Sequence, residues 1–286
     1  MGPSPPTGLK LGKIGFLNVL PIHYPLERGI LPHPFQIVSG APAHLNELMA
    51  RGDLDLSVVS SIEYARHHER YYILPNLSIS CRGPVRSVVL MSRVPVGELS
   101  GKKVLVSAES HTSVALLRIL FRFRLGVQAE FEVGNCSREL SHERYPAAFL
   151  AIGDEALRLR THALYPHMLD LGEAWHSWTG LPFVFALWIL QRDAVERWNG
   201  QLEPALDTLI RAKRWGADHL DSVCREASRR GVLGYRGLYE YYRCLRYDLG
   251  DEELEGLRLF YRFLMDIGEI GAEPPLDLFS SLAGAA

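Results

Sequence analysis

The stretch Leu54–Tyr71, LDLSVVSSIEYARHHERY, contains the pattern that decides the fold. It begins with a short apolar strand, continues through Ser60 and Ser61, and then changes to the spacing of a helix. The same order recurs after the other strands that the sequence predicts, which lie at 13–16, 35–38, 104–106 and 148–152. Because strands that alternate with helices build a mostly parallel sheet with helices on both faces, the pattern indicates an α/β fold.

Two apolar segments interrupt this order, because no helix follows them directly. They are Ser87–Arg93 (SVVLMSR) and Phe183–Gln191 (FVFALWILQ), and the stretch between them has strand–helix units of its own. The last hundred residues have mainly helical spacing. We therefore expect two lobes joined by two crossing hinge strands, with a helical C-terminal part that returns to the first lobe. The predicted first lobe is 1–92 with 190–286, and the predicted second lobe is 93–189.

Composition restricts the class of protein. The chain has 286 residues, which at roughly 150 residues per domain predicts two domains. Its hydrophobic fraction of 47% and charged fraction of 22% exclude a disordered chain. A formal charge of −2 provides no strong field for nucleic acid or an anionic membrane, so neither partner is expected. The longest apolar run, Leu181–Leu190, is shorter than the roughly 20 residues that span a bilayer.

The N-terminus and the cysteines favour a cytoplasmic protein. The first residues, MGPSPPTGLKLGKIGFLNVLPI, lack the basic start, the long apolar stretch and the cleavage site of a secretory signal. Reduced thiols are expected because the cysteines are widely spaced and form no CxxC pair; they are Cys81, Cys136, Cys224 and Cys244. The histidines show no metal-ligand spacing, so no metal site is expected.

Polar residues stand where helices begin after the predicted strands. They are Asn18, Ser60, Ser61, Ser110, Thr112, Ser113 and Asp154, and Ser87 lies at the first crossing strand. A helix N-terminus offers unpaired N–H groups and the positive end of the helix dipole, so several such ends around one cleft would bind an anion. At any single position capping is the simpler explanation, since these residue types are preferred N-caps. Several such junctions around one cleft favour a ligand site between the lobes, at the carboxyl ends of the strands.

Six segments of the chain resemble the chorismate dehydratases, which catalyse the first step of the futalosine route to menaquinone. They are GFLNVLPI (15–22), GDLDLSVVSSIEYAR (52–66), LPNLSISCRGPVRSVVLMS (74–92), SHTSVALL (110–117), AIGDEAL (151–157) and DLGEAWHSWTGLPFVFALW (170–188). The resemblance runs from about residue 11 to 267 and implies the two-lobed fold of type II periplasmic solute-binding proteins. A sister family, the dihydroxynaphthoate synthases, has Pro-Asn-Asp-Thr where this chain has Phe16-Leu17-Asn18. The match is therefore to the dehydratases.

The resemblance also implies a reaction. Chorismate, a dianion, would lose its C4 hydroxyl and its C3 hydrogen as water and become 3-[(1-carboxyvinyl)oxy]benzoate, without a metal or organic cofactor. Aromatisation would drive the reaction. The alternative is a non-catalytic solute-binding protein or sensor of the same fold, and the missing signal sequence favours the enzyme. The oligomeric state, monomer or homodimer, is left open.

The resemblance places Asn18 and Ser87 at the centre of the active site, where they would bond the ring substituents and help the hydroxyl leave. Asp154 is the third candidate catalytic residue, and it would either orient a hydroxyl or cap its own helix. The residues predicted to bind substrate are Ser60, Ser61, Ser110, Thr112, Ser113, Gly153, Trp175 and Phe183. The rings of the cluster Trp175, Trp178, Phe183, Phe185 and Trp188 would either lie against the substrate or pack in the core, and core packing is favoured for Phe185 and Trp188.

The matched motifs contain no obvious general base. Our hypothesis is that the enolpyruvyl carboxylate of the substrate removes the ring proton, while the protein supplies geometry and hydrogen bonds. His111 and Asp154 are the competing candidates. Two-lobed sites commonly close on their ligand, so we expect closure here.

Overall fold

The computed structural model describes residues 8–108, 111–198 and 200–280. Ser110, one of the predicted substrate-binding residues, lies outside the described residues. In chain order the strands are β1 (Leu9–Ile14), β2 (Phe35–Gly40), β3 (Leu56–Ser60), β4 (Tyr71–Cys81), β5 (Val88–Ser92), β6 (Lys103–Val106), β7 (Glu130–Val133), β8 (Ala148–Ile152), β9 (His167–Asp170) and β10 (Phe183–Gln191). The α-helices are α1 (Leu20–Glu27), α2 (Pro42–Ala50), α3 (Ser61–His67), α4 (His111–Ile119), α5 (Cys136–Ser141), α6 (Gly153–Leu159), α7 (Leu171–Thr179), α8 (Arg192–Arg197), α9 (Leu202–Asp218), α10 (Leu220–Ser228), α11 (Tyr235–Cys244) and α12 (Asp251–Asp266).

The strands form two sheets, one for each lobe. The first sheet has the order β2-β1-β3-β10-β4 and the second has the order β7-β6-β8-β5-β9. In each sheet three strands pair in parallel, whereas β10 and β5 run antiparallel to their neighbours. Apolar side chains of the strands and of the covering helices fill the interior of both lobes. The predicted α/β fold with two lobes is confirmed.

The chain passes between the sheets twice, through residues 82–87 and through residues 180–182. The sequence predicts instead that the strands around 87–93 and 183–191 themselves cross. β5 pairs with β8 and β9 of the second sheet, and β10 pairs with β3 and β4 of the first. The predicted boundaries place β5 in the first lobe and most of β10 in the second, whereas β5 belongs to the sheet of the second lobe and β10 to the sheet of the first. An apolar strand has the same pattern in either sheet, so its own sequence does not reveal which sheet it joins.

The C-terminal helices return to the first lobe and also contact the second. Helix α9 packs on α1, and α12 packs on β10, α3, α4 and α7. The ring of Phe260 on α12 lies 4.9 Å from the ring of Phe183, and the ring of Phe263 lies 6.1 Å from that of Trp175. These aromatic contacts hold α12 against the elements on either side of the second crossing segment, α7 and β10. In the described part of the chain, every helix is too short or too polar to span a membrane.

Candidate active site

A cleft of about 740 Å³, including its open mouth, lies between the two lobes. The carboxyl ends of β1, β3 and β8 reach it, and so do the first residues of α2 and α4. Six of the residues that the sequence singles out line this cleft: Asn18, Ser60, Ser87, Thr112, Ser113 and Gly153. They meet here because the carboxyl ends of parallel strands, and the helices that follow, lie at one edge of a sheet.

Asn18 lies in a short 3₁₀ helix, Leu17–Val19, directly after β1. The backbone around it is fixed by side chains from distant elements. The N–H of Leu17 donates to Asp154 Oδ1 at 3.0 Å, and the carbonyl oxygens of Leu17 and Asn18 accept from the hydroxyls of Tyr242 at 3.0 Å and Tyr247 at 2.8 Å. The side-chain oxygen of Asn18 is buried without a partner among the described residues. Since such an atom costs about 1–3 kcal/mol, it points to a ligand that supplies the missing hydrogen bond.

Ser87 ends the first crossing segment and is only 4% exposed. Its hydroxyl oxygen accepts a hydrogen bond from Tyr241 at 3.1 Å. The residue before it, Arg86, has a φ of 64°, a left-handed conformation that side chains rarely adopt. The carboxylate of Asp170 offsets this strain, because it accepts from the N–H groups of Val85 at 3.0 Å and Arg86 at 2.7 Å. This contact fixes the position from which Ser87 enters the cleft.

Asp154 has neither of the two roles that the sequence proposes, which are orienting a substrate hydroxyl and capping its own helix. It does not line the cleft, and it does not cap α6, whose N-cap residue is Ile152. Its carboxylate crosses from the second lobe to the first and accepts the N–H of Leu17. Burial raises the pKa of Asp154, against the opposing effects of the hydrogen bond from Leu17 and the charges of Arg230 and Arg158. Asp154 therefore holds the segment that carries Asn18.

The serine and threonine residues at the starts of α3 and α4 differ in what their hydroxyls contact: some face the cleft, and others bond to the protein itself. Ser60 and Ser113 line the cleft, and the Ser60 hydroxyl makes no capping bond to α3. Ser61 is fully buried outside the lining, and its hydroxyl donates to the Val184 carbonyl at 2.9 Å. The Thr112 hydroxyl accepts the N–H of Ile62 at 3.1 Å, so a residue of the second lobe caps a helix of the first. Ser61 thus has a structural hydrogen bond where the sequence predicts a ligand contact.

The sequence matches the family model described as menaquinone biosynthesis over residues 9–266. A chorismate dehydratase of Thermus thermophilus is 31% identical over 265 residues, which cover 87% of this chain and 93% of that protein. A chorismate dehydratase of Campylobacter jejuni is 30% identical over 179 residues, 61% of this chain and 64% of that protein. The chain belongs to the menaquinone biosynthesis family. The resemblance to the chorismate dehydratases is thereby confirmed, and membership makes the chain an enzyme of menaquinone biosynthesis.

A more distant relative and two solved structures are also similar to this chain. A 1,4-dihydroxy-6-naphtoate synthase of Thermus thermophilus is 26% identical over 284 residues, 95% of this chain and 93% of that protein. A crystal structure of an Archaeoglobus fulgidus protein has a TM-score of 0.76 at 16% identity, over 92% of this chain and 99% of that chain. The periplasmic aliphatic sulphonate binding protein of Escherichia coli has a TM-score of 0.68 at 13% identity, over 96% and 92%. These structural matches confirm the periplasmic-binding-protein-like fold.

In this family member the aromatic residues predicted to bind substrate lie in the core. Trp175 and Phe183 are fully buried outside the cleft lining, and the Trp175 ring N–H donates to the Pro182 carbonyl at 3.2 Å. Phe185, for which core packing is favoured, lines the cleft instead, whereas Trp188 is buried as expected. The reason is a register shift of β10 against β4 between Val184 and Ala186, because such an irregularity redirects the neighbouring side chain.

The cleft lining contains no Lys, Arg, Asp or Glu among the described residues, and His111 is its one titratable side chain there. Within the same residues, no group of three or more His, Cys, Asp and Glu side chains could hold a metal ion. The site therefore offers amide, hydroxyl and backbone groups rather than formal charges. Three tyrosines beside the site were not found from the sequence: the buried Tyr241 and Tyr242 and the partly buried Tyr247. Tyr241 and Tyr242 belong to the tyrosine-rich run 239–242, which by its spacing is typical of an ordinary helix core, and Tyr247 lies outside that run.

Proposed function

We propose that this protein is a hydro-lyase that converts chorismate to 3-[(1-carboxyvinyl)oxy]benzoate and water in the futalosine route to menaquinone. The observation that carries the proposal is the unpartnered, buried amide oxygen of Asn18, which lines the same uncharged cleft as Ser87. The two similar proteins named chorismate dehydratase support the choice of reaction.

Substrate binding follows from the lining of the cleft. Helices α2 and α4, nine residues each, begin at its wall with Pro42 and His111. Their N-terminal N–H groups favour the two carboxylates of chorismate, and the hydroxyls of Ser60 and Ser113 add hydrogen bonds. Phe185 provides an apolar surface for the ring. Because the lining carries no formal charge, these dipoles act without competition from nearby ions.

The reaction needs little acid–base chemistry from the protein, because the product is aromatic. The enolpyruvyl carboxylate of the substrate takes the proton from C3, the electron pair of that bond forms the new ring double bond, and the C4–O bond breaks. The proton taken from C3 leaves with the hydroxyl as water, so the atoms balance. The amide oxygen of Asn18 accepts a hydrogen bond from a substrate hydroxyl and so holds the reacting group, and Ser87 donates to the departing oxygen and stabilises the charge that develops there.

The proposal is tested by incubating the purified protein with chorismate and following the product by absorbance and mass. Ser87→Ala is expected to lower kcat by roughly 10²–10³, the usual loss for one preorganised donor. Asn18→Ala, which removes the acceptor that orients the substrate, is expected to lower kcat as well. Ser92→Ala is a matched control, because Ser92 is a buried serine of β5 that bonds to the Val94 carbonyl at 2.6 Å and does not line the cleft. Absence of turnover by a folded wild type would overturn the proposal, and binding without product would support a solute-binding protein.

The identity of the base is tested separately. Asp154→Asn keeps an oxygen acceptor for the N–H of Leu17 and is expected to retain turnover, because Asp154 lies outside the cleft lining. His111→Gln is expected to retain turnover as well, although His111 lines the cleft. Loss of turnover in either variant, with chorismate affinity and folding unchanged, would contradict proton removal by the substrate.

We also infer a cytoplasmic location. All four cysteines are free thiols, and three of them are buried. Reduced cysteines are the usual state in the cytoplasm. Fractionation of cells that express the protein with its native N-terminus tests this inference, and recovery in the periplasm would contradict it.

A further inference from the structure

Three tyrosines from the C-terminal part of the chain reach the two segments that carry Asn18 and Ser87. Tyr241 and Tyr242 lie in α11, and Tyr247 follows it. Tyr241 and Tyr242 are almost fully buried, and all three hydroxyls donate hydrogen bonds. These contacts span 154 to 229 residues of sequence, so local chain geometry does not require them.

The direction of the bond between Tyr241 and Ser87 follows from burial. A buried phenol needs an acceptor for its proton, and the acceptor that the structure provides is the Ser87 hydroxyl oxygen at 3.1 Å. Burial raises the pKa of Tyr241, so the phenol keeps its proton throughout the neutral range. Ser87 therefore accepts from Tyr241 and has its own proton to donate.

The Ser87 hydroxyl would find a better hydrogen-bond acceptor in the cleft than the protein offers. The protein acceptor for it is the Val85 carbonyl at 3.5 Å, the long limit of a hydrogen bond. Ser87 also lines the cleft. A substrate oxygen at about 2.7–2.8 Å would be a stronger acceptor than this carbonyl. The Tyr241 bond thus biases Ser87 toward donating to a ligand.

Tyr242 and Tyr247 act on Asn18 through its backbone. Their hydroxyls hold the carbonyl oxygens of Leu17 and Asn18, at 3.0 and 2.8 Å. Burial raises the pKa of both phenols, so both stay donors. With the peptide groups fixed in this way, the Asn18 side chain is held where its oxygen is buried at the cleft wall without a partner.

We propose that Tyr241, Tyr242 and Tyr247 are positioning residues for the dehydration. Tyr241 makes the Ser87 hydroxyl a hydrogen-bond donor to the departing oxygen of the substrate, and Tyr242 and Tyr247 fix the amide of Asn18. The proposal rests on the proposed function. In this proposal the three tyrosines contribute to stabilising the transition state rather than to binding the substrate. Loss of their hydroxyls should therefore affect kcat more than KM.

The test compares Tyr241→Phe with Tyr165→Phe in the full chain, with chorismate as substrate. Tyr241→Phe removes only the hydroxyl and is expected to lower kcat about tenfold, with KM changed less than about twofold. Tyr165 is the matched control, because it is a buried tyrosine whose hydroxyl donates to the Pro146 carbonyl at 3.1 Å in the second lobe, away from the cleft. Its substitution is expected to leave kcat unchanged.

A double-mutant cycle separates positioning from general stabilisation. If Tyr241 acts through Ser87, then Tyr241→Phe should cause no further loss of kcat in the Ser87→Ala background. An equal tenfold loss in both backgrounds, or full kcat in Tyr241→Phe, would overturn the role of Tyr241. If Tyr241→Phe does not fold, Tyr247→Phe is judged in its place, in the Asn18→Ala background. A wild type that does not convert chorismate overturns the proposed function itself, which distinguishes that failure from failure of the positioning role.

Discussion

At the scale of single residues, two side chains have buried polar atoms without partners, but only one of them indicates a ligand. The Asn18 side-chain oxygen lacks a partner at the wall of the cleft, where a ligand can supply one. His23 in α1 is fully buried, and neither of its ring nitrogens has a partner among the described residues. Burial, followed by the nearby charges of Lys13 and His33, lowers the pKa of His23 to about 3. His23 is therefore a neutral core residue, and the additional cost of keeping it unprotonated appears as the pH falls.

We predict that His23 makes stability depend on pH below about 6.5. Between the unfolded pKa of 6.5 and the folded pKa of about 3, the unfolded chain binds one more proton at this residue than the folded chain. The free energy of unfolding should therefore fall with decreasing pH, by up to about 1.4 kcal/mol per pH unit. Urea unfolding at pH 7, 6 and 5 measures this slope. His23→Gln should reduce it, whereas the exposed control His44→Gln should not, and equal slopes in wild type and His23→Gln would contradict the prediction.

At the scale of elements, two helical glycines allow close packing. A Cβ atom at Gly216 of α9 would lie 2.1 Å from the Pro21 carbonyl oxygen of α1, and one at Gly256 of α12 would lie 2.2 Å from the Pro182 carbonyl oxygen. Gly weakens a helix by about 1 kcal/mol relative to Ala. At these two positions the lower helix propensity is offset by the close contact that the absence of a Cβ allows. The contact at Gly256 holds α12 against the second crossing segment. The close approach of α12 to this segment thus requires glycine at position 256.

We predict that Gly216→Ala destabilises the protein by roughly 1–3 kcal/mol, because α9 must move away from α1. Gly237→Ala in α11 is the matched control. The nearest atom to its added Cβ would be 3.6 Å away, an ordinary contact with Leu233, so this variant should be neutral or more stable by up to about 1 kcal/mol. Urea unfolding measures both changes. Equal stabilities of the two variants would refute the close-packing explanation.

At the scale of the whole molecule, polar contacts join the lobes around the cleft. The carboxylate of Glu269 accepts from Arg66 of α3 and from Arg118 of α4, each at 2.7 Å. The contacts of Thr112 with Ile62 and of Asp154 with Leu17 also cross between the lobes. Partly exposed ion pairs are worth about 0–1 kcal/mol, so this part of the lobe interface can open and close at little cost. We therefore expect these contacts to belong to the closed form of a hinged molecule.

We predict that product binding favours this closed form. Solution scattering should give a smaller radius of gyration with saturating 3-[(1-carboxyvinyl)oxy]benzoate than without it, because the ligand contacts both lobes. At one hundred times its Kd, the product should raise the free energy of unfolding by about 2.7 kcal/mol. A non-aromatic dicarboxylate such as succinate, at the same concentration, is the control. Identical scattering profiles with and without bound product would argue against closure.

The sequence by itself determined the α/β fold, the two lobes, the family and six residues of the cleft lining. The fold and the strand-to-helix junction residues follow from local order, because a polar residue between a parallel strand and its helix must lie at the carboxyl edge of a sheet. The family, and with it the places of Asn18 and Ser87, follow from the resemblance of six segments to the chorismate dehydratases. Only the tertiary structure decided that β5 joins the second sheet, that Phe185 rather than Phe183 faces the cleft, and that Asp154 holds Leu17. The three tyrosines belong to the same group. Each of these features depends on a partner far away in the chain or on a register shift, and neither leaves a periodic pattern in the amino-acid sequence.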